Sequence, residues 1–390
     1  MLKSKVGHSI DANSFESGKQ TATKAIETLN NPKIGLLYSS VKYNQAEVIK
    51  GVKEVIGDLP VIGCTSSGAI ITNEGIIESN NGFSGMLLLD DPDLTIGVAA
   101  SPKEKDARTT GQKVAYEAVK NSKTGYAPSY FYMVANPAEE ESYLKGIQDV
   151  IGRVPFFGGS AADDAIAGDW QIFCNDQVFN DGVAVAFFYT DKEIATEYTG
   201  AYHETTNTGI ITKISGNRTL VEIDGRPALE KYAEWVGLEP KDLMGGDLLV
   251  KANQKPLGIK DPIGNVTLVR HPMAGNEDMS MNIGNDLKVN TAVIQLCATV
   301  DELISSTKTT MQAAKEKLYK QNPGAYFLVH CGGRKVGIGD RLEEVYDNLK
   351  EVSNGVPFLT IFTFGEYGYH EHSANSCGGL MLSFTAFGKE

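Results

Sequence analysis

No window of the sequence approaches the roughly 18 apolar residues of a membrane span. The first residues, Met1-Leu2-Lys3-Ser4-Lys5, lack the apolar core of a signal peptide. Both absences lead to an expected cytoplasmic location, with no membrane insertion. No basic block offsets the net charge of -13 over 390 residues, which argues against nucleic acid as a main partner. A small anion held by one buried arginine stays open. Cysteine is scarce: Cys64, Cys174, Cys297, Cys331 and Cys377 are odd in number, widely spaced and free of any CxxC pair. That pattern argues against a zinc ribbon or a disulfide framework and suits reduced, buried thiols. Catalytic signatures are missing too. There is no P-loop, no His-Glu-x-x-His and no Gly-x-Ser-x-Gly elbow. Gly337-Ile338-Gly339 is followed by Asp340-Arg341-Leu342, so the dinucleotide fingerprint fails at its third glycine. The expectation is therefore a protein that is not an enzyme.

What the chain does have is a repeat. Leu59-Pro60-Val61-Ile62-Gly63-Cys64-Thr65-Ser66-Ser67-Gly68 is an apolar run that stops in small polar residues. This reads as a buried strand and a tight turn that another backbone or a ligand can approach. Val154-Pro155-Phe156-Phe157-Gly158-Gly159-Ser160-Ala161-Ala162-Asp163 is a second copy. Val356-Pro357-Phe358 through Phe364-Gly365-Glu366 is a looser third. Around each turn the order is helix, strand, helix, turn strand, variable loop, closing strand. In copy one, Ala22, Ala25, Ile26 and Leu29 share a helical face, and Val48, Ile49, Val52, Val55 and Ile56 share another behind an Asn44-x-x-Glu47 cap. Copy two opens with the strand at Leu94–Val98. Copy three is expected to open with Ala292–Leu296, with helices capped by Thr299-x-x-Glu302 and Asp340-x-x-Glu343.

This alternation predicts an α/β fold of mixed sheets built from three βαβ-like repeats in two sub-domains, residues 1–226 and 227–390. A segment near residues 195–285 is different in composition, with strands at Leu220–Ile223 and Val266–Arg270 and a short helix over Pro227–Val236.

The candidate site residues follow from the turns and strand ends. Cys64, Thr65, Ser66, Gly159 and Ser160 would offer close contacts to a ligand. Cys64 reads first as a pocket-lining thiol, next as core packing and least as a nucleophile, since a reactive thiol needs a base or a helix N-terminus beside it and no nearby His is evident in sequence. Arg270 and Arg334 stand at the ends of apolar strands, where a charge is costly unless paired. They either hold a ligand carboxylate or pair with Glu366, which itself either braces the fold or receives an amine. Asp163 and Asp164 are acceptors or caps. Asn375 lies in a polar closing turn. The Tyr369-His370-Glu371-His372 run puts His370 and His372 on one face if it is a strand. With His330 or Cys331 beside it, it would hold a metal or haem. The alternative is local hydrogen bonding.

At these residues the chain resembles the FIST family of two-part bacterial sensory domains. The resemblance rests on Ile62–Gly68, on Pro155–Asp163, on Glu222-Ile223-Asp224-Gly225-Arg226-Pro227-Ala228, on Leu268-Val269-Arg270, on Cys331-Gly332-Gly333-Arg334, on Phe362–Glu366 and on His372–Asn375. Ala69 departs from it, standing where an acidic residue commonly follows the glycine. The resemblance implies a sensor of small molecules such as amino acids, acting on a separate signalling output protein such as a histidine kinase, cyclase or chemoreceptor. It also implies haem-based gas sensing as the alternative, and a Cys64-dependent enzyme is a third.

Overall fold

Residues 1–261 and 266–390 are described by a computed structural model. The mixed α/β architecture expected from the sequence is present, and its three copies share one plan. In copy one the strands run in the order Lys3–Ser9, Ser84–Asp90, Ile34–Ser39, Val61–Thr65. Copy two repeats this order with Thr95–Pro102, Gly182–Tyr189, Tyr130–Ala135 and Phe156–Ser160. Copy three does so with Ile194–Thr199, Leu382–Gly388, Pro323–Cys331 and Phe358–Thr363. Only the last two strands of each set are parallel.

Strand alternation divides the side chains between two layers. Leu36, Tyr38, Tyr132, Val134, Phe327 and Val329 point inward, where all three sheets share one central core. Leu37, Met133 and Leu328 point outward, each under its own helix pair. Those pairs are Ser14–Ile26 with Gln45–Ile56, Ala107–Ser122 with Glu140–Ile151, and Val300–Glu316 with Leu342–Ser353. Strands buried on both faces explain the unbroken apolar runs in the sequence. Asn44 caps its helix through Ala46 and Glu47 N–H, and Thr299 with Glu302 forms a full capping box. Asp340 does not cap. A short helix, Gly332–Ile338, leaves strand Pro323–Cys331 directly, and Asp340 falls in the tight 3-10 turn that follows it.

The variable loops carry a cyclic exchange of hairpins. The Ile70–Thr72 and Gly75–Ile77 hairpin of copy one joins the sheet of copy three, beside Phe358–Thr363. The Ile172–Cys174 and Gln177–Phe179 hairpin of copy two joins copy one, beside Val61–Thr65. The Glu366–Gly368 and Ser376–Gly378 hairpin of copy three joins copy two, beside Phe156–Ser160. The three turns then bond to one another around the axis. Ser67 N–H donates to Phe362 O (3.0 Å), Ala162 N–H to Thr65 O (3.0 Å) and Phe364 N–H to Ser160 O (3.3 Å).

Copy three opens differently from expectation. Its first strand is Ile194–Thr199, paired with Leu382–Gly388, and not Ala292–Leu296. The strand Ala292–Cys297 exists, but it pairs with His203–Ser215 and Leu257–Lys260 in a separate eight-stranded antiparallel sheet. Apolar content alone cannot tell which sheet a buried strand joins. The segment between Thr199 and Thr299 is thus an insertion into copy three. It has its own core of Ile211, Leu220, Leu229, Tyr232, Met281 and Val293, under the helix Ala228–Val236.

Candidate functional site

A cavity of about 380 Å³ opens where the inserted body meets the strand ends of the three-copy body. From the copies it is lined by Ser67, Ala138, Asp164, Ile166, Trp170, Cys331, Gly332, Gly333, Phe364 and Gly379. The insertion contributes Arg218, Leu249, His271, Met273, Ile283, Gly284 and Asn285. Size and a mainly apolar wall with few polar groups suit a small ligand. Trp170 and Phe364 meet edge to face at 6.3 Å between ring centroids, and the Trp170 indole N–H is tied to Asn180 O at 3.1 Å. Ala138 and Ile166 hold left-handed backbone at φ +85° and +56°. That conformation is strained for a β-branched residue, and such strain concentrates at functional sites.

One polar wall is built around Arg218. Its Nε donates to Asp286 Oδ1 (3.2 Å), Nη1 to Gly284 O (2.6 Å) and Nη2 to Glu141 Oε2 (2.5 Å), while Glu140 Oε2 lies 3.1 Å from Nη2. Glu140 is fully buried. Burial and the neighbouring Glu141 carboxylate push its pKa up to about 8, against the pull of Arg218. Asn285 Nδ2 donates to Glu140 Oε1 at 3.2 Å, and its Oδ1 is buried toward Gly379 with no hydrogen-bond partner among the described residues. His271 faces Leu249 O at 2.9 Å, and burial lowers its pKa to about 4, so the ring is neutral.

The structure brings the turn residues together, but around the axis and not around the cavity. Cys64 is buried in the shared core with Tyr38 and Tyr132, whose hydroxyls bond to each other, and burial pushes its thiol pKa far up. Thr65 Oγ1 accepts from Gln171 N–H (3.0 Å). Ser66 Oγ donates to Ala69 O (2.8 Å) and accepts from Phe362 N–H (2.9 Å). Gly159 lies where a Cβ would come within 2.8 Å of both Gly365 O and Thr363 Cγ2. Ser160 Oγ shares a hydrogen bond with Tyr367 (2.7 Å). Asp163 accepts from the backbone N–H groups of Ala165 through Asp169, which organises the loop carrying Ile166 to the cavity. Asp164 lines the cavity and accepts from Gly68 N–H (2.8 Å).

The charged candidates lie behind the cavity wall. Arg334 is fully buried and donates to Gly200 O, Leu303 O, Leu380 O and Ser306 Oγ. Arg270 donates to Asp286 O, Val269 O and Cys377 O. Glu366 accepts from Thr363 Oγ1 and Met381 N–H, both at 2.9 Å, and burial lifts its pKa to about 8. Among the described residues, Glu366 has no cation within ion-pair distance. Asn375 Nδ2 donates to Val154 O (2.7 Å). His370 and His372 sit in a turn and not on a strand. His372 is exposed, and His370 borders a different groove beside Tyr198. His330 is buried and held neutral, its pKa lowered to about 3 by burial and by Arg334. Among the described residues, no three His, Cys, Asp or Glu side chains gather as a metal site.

The family model of the FIST N domain matches residues 33–226, and that of the FIST C domain matches residues 228–369. The chain belongs to the FIST family. FIST domains are small-ligand sensory domains of signal transduction. No curated protein matches the chain. Among solved structures, a cyanuric acid hydrolase from A. caulinodans overlaps all of both chains at 9% identity and a TM-score of 0.38. PurLQS from Thermotoga maritima overlaps 99% of this chain and 72% of its own at 8% identity and a TM-score of 0.24. Overlaps this loose carry no argument.

The FIST boundary near residue 227 falls inside the inserted body, just before helix Ala228–Val236. The cavity draws on both FIST halves, with Arg218 and the copy-two loops from the first and His271, Asn285 and Cys331 from the second. Sequence reasoning missed Arg218, Glu140, Asn285 and Trp170. The one signal was the acidic run Glu139-Glu140-Glu141 after Pro137, too rich in charge for a buried helix start without a cation to meet it. Among the described residues, no helix is long and apolar enough to cross a membrane.

Proposed function

We propose that this FIST chain is a binding module, not an enzyme, whose ligand is a small polar molecule of amino-acid size seated between the insertion and the three-copy body. The observation that carries the reading is the cavity of about 380 Å³, whose mainly apolar wall and few polar groups come from both the insertion and the three-copy body. The ligand touches both bodies at once. Its binding therefore shifts the population of their relative arrangements, and a separate histidine kinase, cyclase or chemoreceptor reads that shift. The depth of Cys64 in the core, with its thiol held protonated, supports binding over catalysis.

The test is thermal unfolding against a metabolite library, run on wild type and on Met273→Trp, which fills the cavity from a half-buried wall position. A ligand at a hundred times its Kd adds about 2.7 kcal/mol to stability. A melting shift seen in wild type and lost in Met273→Trp supports the reading. A shift that survives the variant moves the site elsewhere.

A further inference from the structure

Resting on that reading of the cavity, we infer that its ligand is an uncharged molecule with an apolar ring and one N–H or O–H group, which it donates to His271 Nδ1. Neutrality follows from the charges already on the wall. Arg218 and Asp164 are the only Arg, Lys, Asp or Glu among the described cavity-lining residues. Arg218 donates to Asp286 Oδ1 at 3.2 Å and to Glu141 Oε2 at 2.5 Å. Asp164 Oδ1 accepts from Gly68 N–H at 2.8 Å, and Lys42 Nζ lies 3.8 Å from its Oδ2. Each charge on the wall thus already faces an opposite one. A ligand carboxylate or ammonium would leave water with no unmatched charge to meet it, which is costly for an ion and not for a neutral molecule.

The hydrogen-bond donor is assigned by His271, which lines the cavity and is 5% exposed. Leu249 O can only accept, so the contact at 2.9 Å puts the ring proton on Nε2 and leaves Nδ1 as a lone-pair acceptor. Burial lowers the ring's pKa to about 4, so that acceptor persists at neutral pH. No described residue donates to Nδ1 and, unlike Asn285 Oδ1, it keeps accessible surface. A Cβ at Gly379 would meet His271 Cβ at 3.3 Å, and one at Gly333 would meet His271 Cε1 at 3.4 Å. Nδ1 lies on the side-chain edge between those two atoms, and that edge borders two glycines of the cavity wall. The ring requirement comes from Trp170 and Phe364, whose ring centroids are 6.3 Å apart, and from the Met273 thioether, which together offer a wall for a flat apolar body.

Four probes built on one ring system test this, titrated calorimetrically into the full chain: indole, 1-methylindole, indole-3-acetate and tryptophan. Indole is expected to bind at least about tenfold more tightly than indole-3-acetate or tryptophan, whose charges find no partner. It is expected to bind about fivefold more tightly than 1-methylindole, which cannot donate. In His271→Phe, which keeps a ring at the position without the acceptor, indole and 1-methylindole are expected to bind alike. If indole-3-acetate or tryptophan matches indole, the uncharged class is overturned and the sensor reading survives. If 1-methylindole matches indole in the wild type, the hydrogen bond to His271 is overturned, and this comparison decides even where His271→Phe fails to fold. A preference for indole over 1-methylindole that persists in folded His271→Phe overturns the assignment of His271 as the acceptor. Binding by none of the four probes overturns the uncharged ring-bearing class, whereas the sensor reading stands or falls on the library screen with Met273→Trp.

Discussion

Glu366 shows how one side chain can be named from sequence and its role left open. A carboxyl at the end of an apolar strand is conspicuous, but ligand contact and fold bracing look the same in a string of letters. In the structure it bridges Thr363 and Met381, at the junction of copy three with its exported hairpin. Its pKa is raised from 4.5 to about 8, chiefly by burial. The folded state therefore holds the proton more tightly than the unfolded chain does. The stabilising contribution is complete below the unfolded value and is lost as pH rises through about 8. Urea unfolding of wild type is expected to give a lower midpoint at pH 9 than at pH 6. Glu366→Gln, which keeps the shape and cannot ionise, is expected to lose less over that interval. Equal slopes for the two proteins would remove Glu366 from the pH response. Arg334 was legible in the same partial way. Its burial in an apolar context was readable, but its acceptors, Gly200, Leu303, Leu380 and Ser306, come from segments that only the fold brings together.

Among the elements, the helix pairs of copies one and two rest on reciprocal glycines. A Cβ at Gly18 would lie 2.1 Å from Val48 O, and one at Gly51 would lie 2.0 Å from Phe15 O. Gly111 and Gly146 make the same approach to Tyr143 O and Arg108 O, at 2.4 Å and 2.0 Å. Gly51→Ala forces the helices apart and is expected to cost about 1–3 kcal/mol, more than its gain in helix propensity, as measured by the denaturation midpoint. A neutral or stabilising result would mean that the pair slides at no cost. Helices and long strands were legible here because apolar spacing survives in the letters: Ala22 and Ala25, or Val48 and Val52, mark a face directly. The exchanged hairpins were not. Ile70–Thr72 and Gly75–Ile77 are three residues each, too short for a periodic signal, and their partner Phe358–Thr363 is remote in sequence. The cavity was hidden for a related reason. Asn285 and Arg218 lie in the insertion outside its two recognisable motifs, Glu222–Ala228 and Leu268–Arg270, and only its docking gives them chemical meaning.

For the whole molecule, the cyclic exchange makes each copy complete only in the presence of another. The three copies are therefore expected to unfold together, while the insertion, with its own core, is free to follow a different curve. The two tryptophans separate these reports. Trp170 belongs to the copies and Trp235 packs against the insertion's core. In Trp235→Phe, the remaining fluorescence is expected to trace one transition with no plateau. A plateau would mean that a copy can open alone.

The same exchange also sets a clock on synthesis. The hairpin around Ile71 leaves the ribosome early, but its partner strand includes Thr360. At about 5–20 residues per second, the wait is on the order of tens of seconds. During that time the first copy carries an unclaimed hairpin, and its own sheet is short of the one that copy two supplies. The nascent chain must pass through this interval with strand edges open to other chains. Crowding by neighbouring ribosomes on one message is thus a moment of aggregation risk that the finished molecule, with these edges paired, no longer carries.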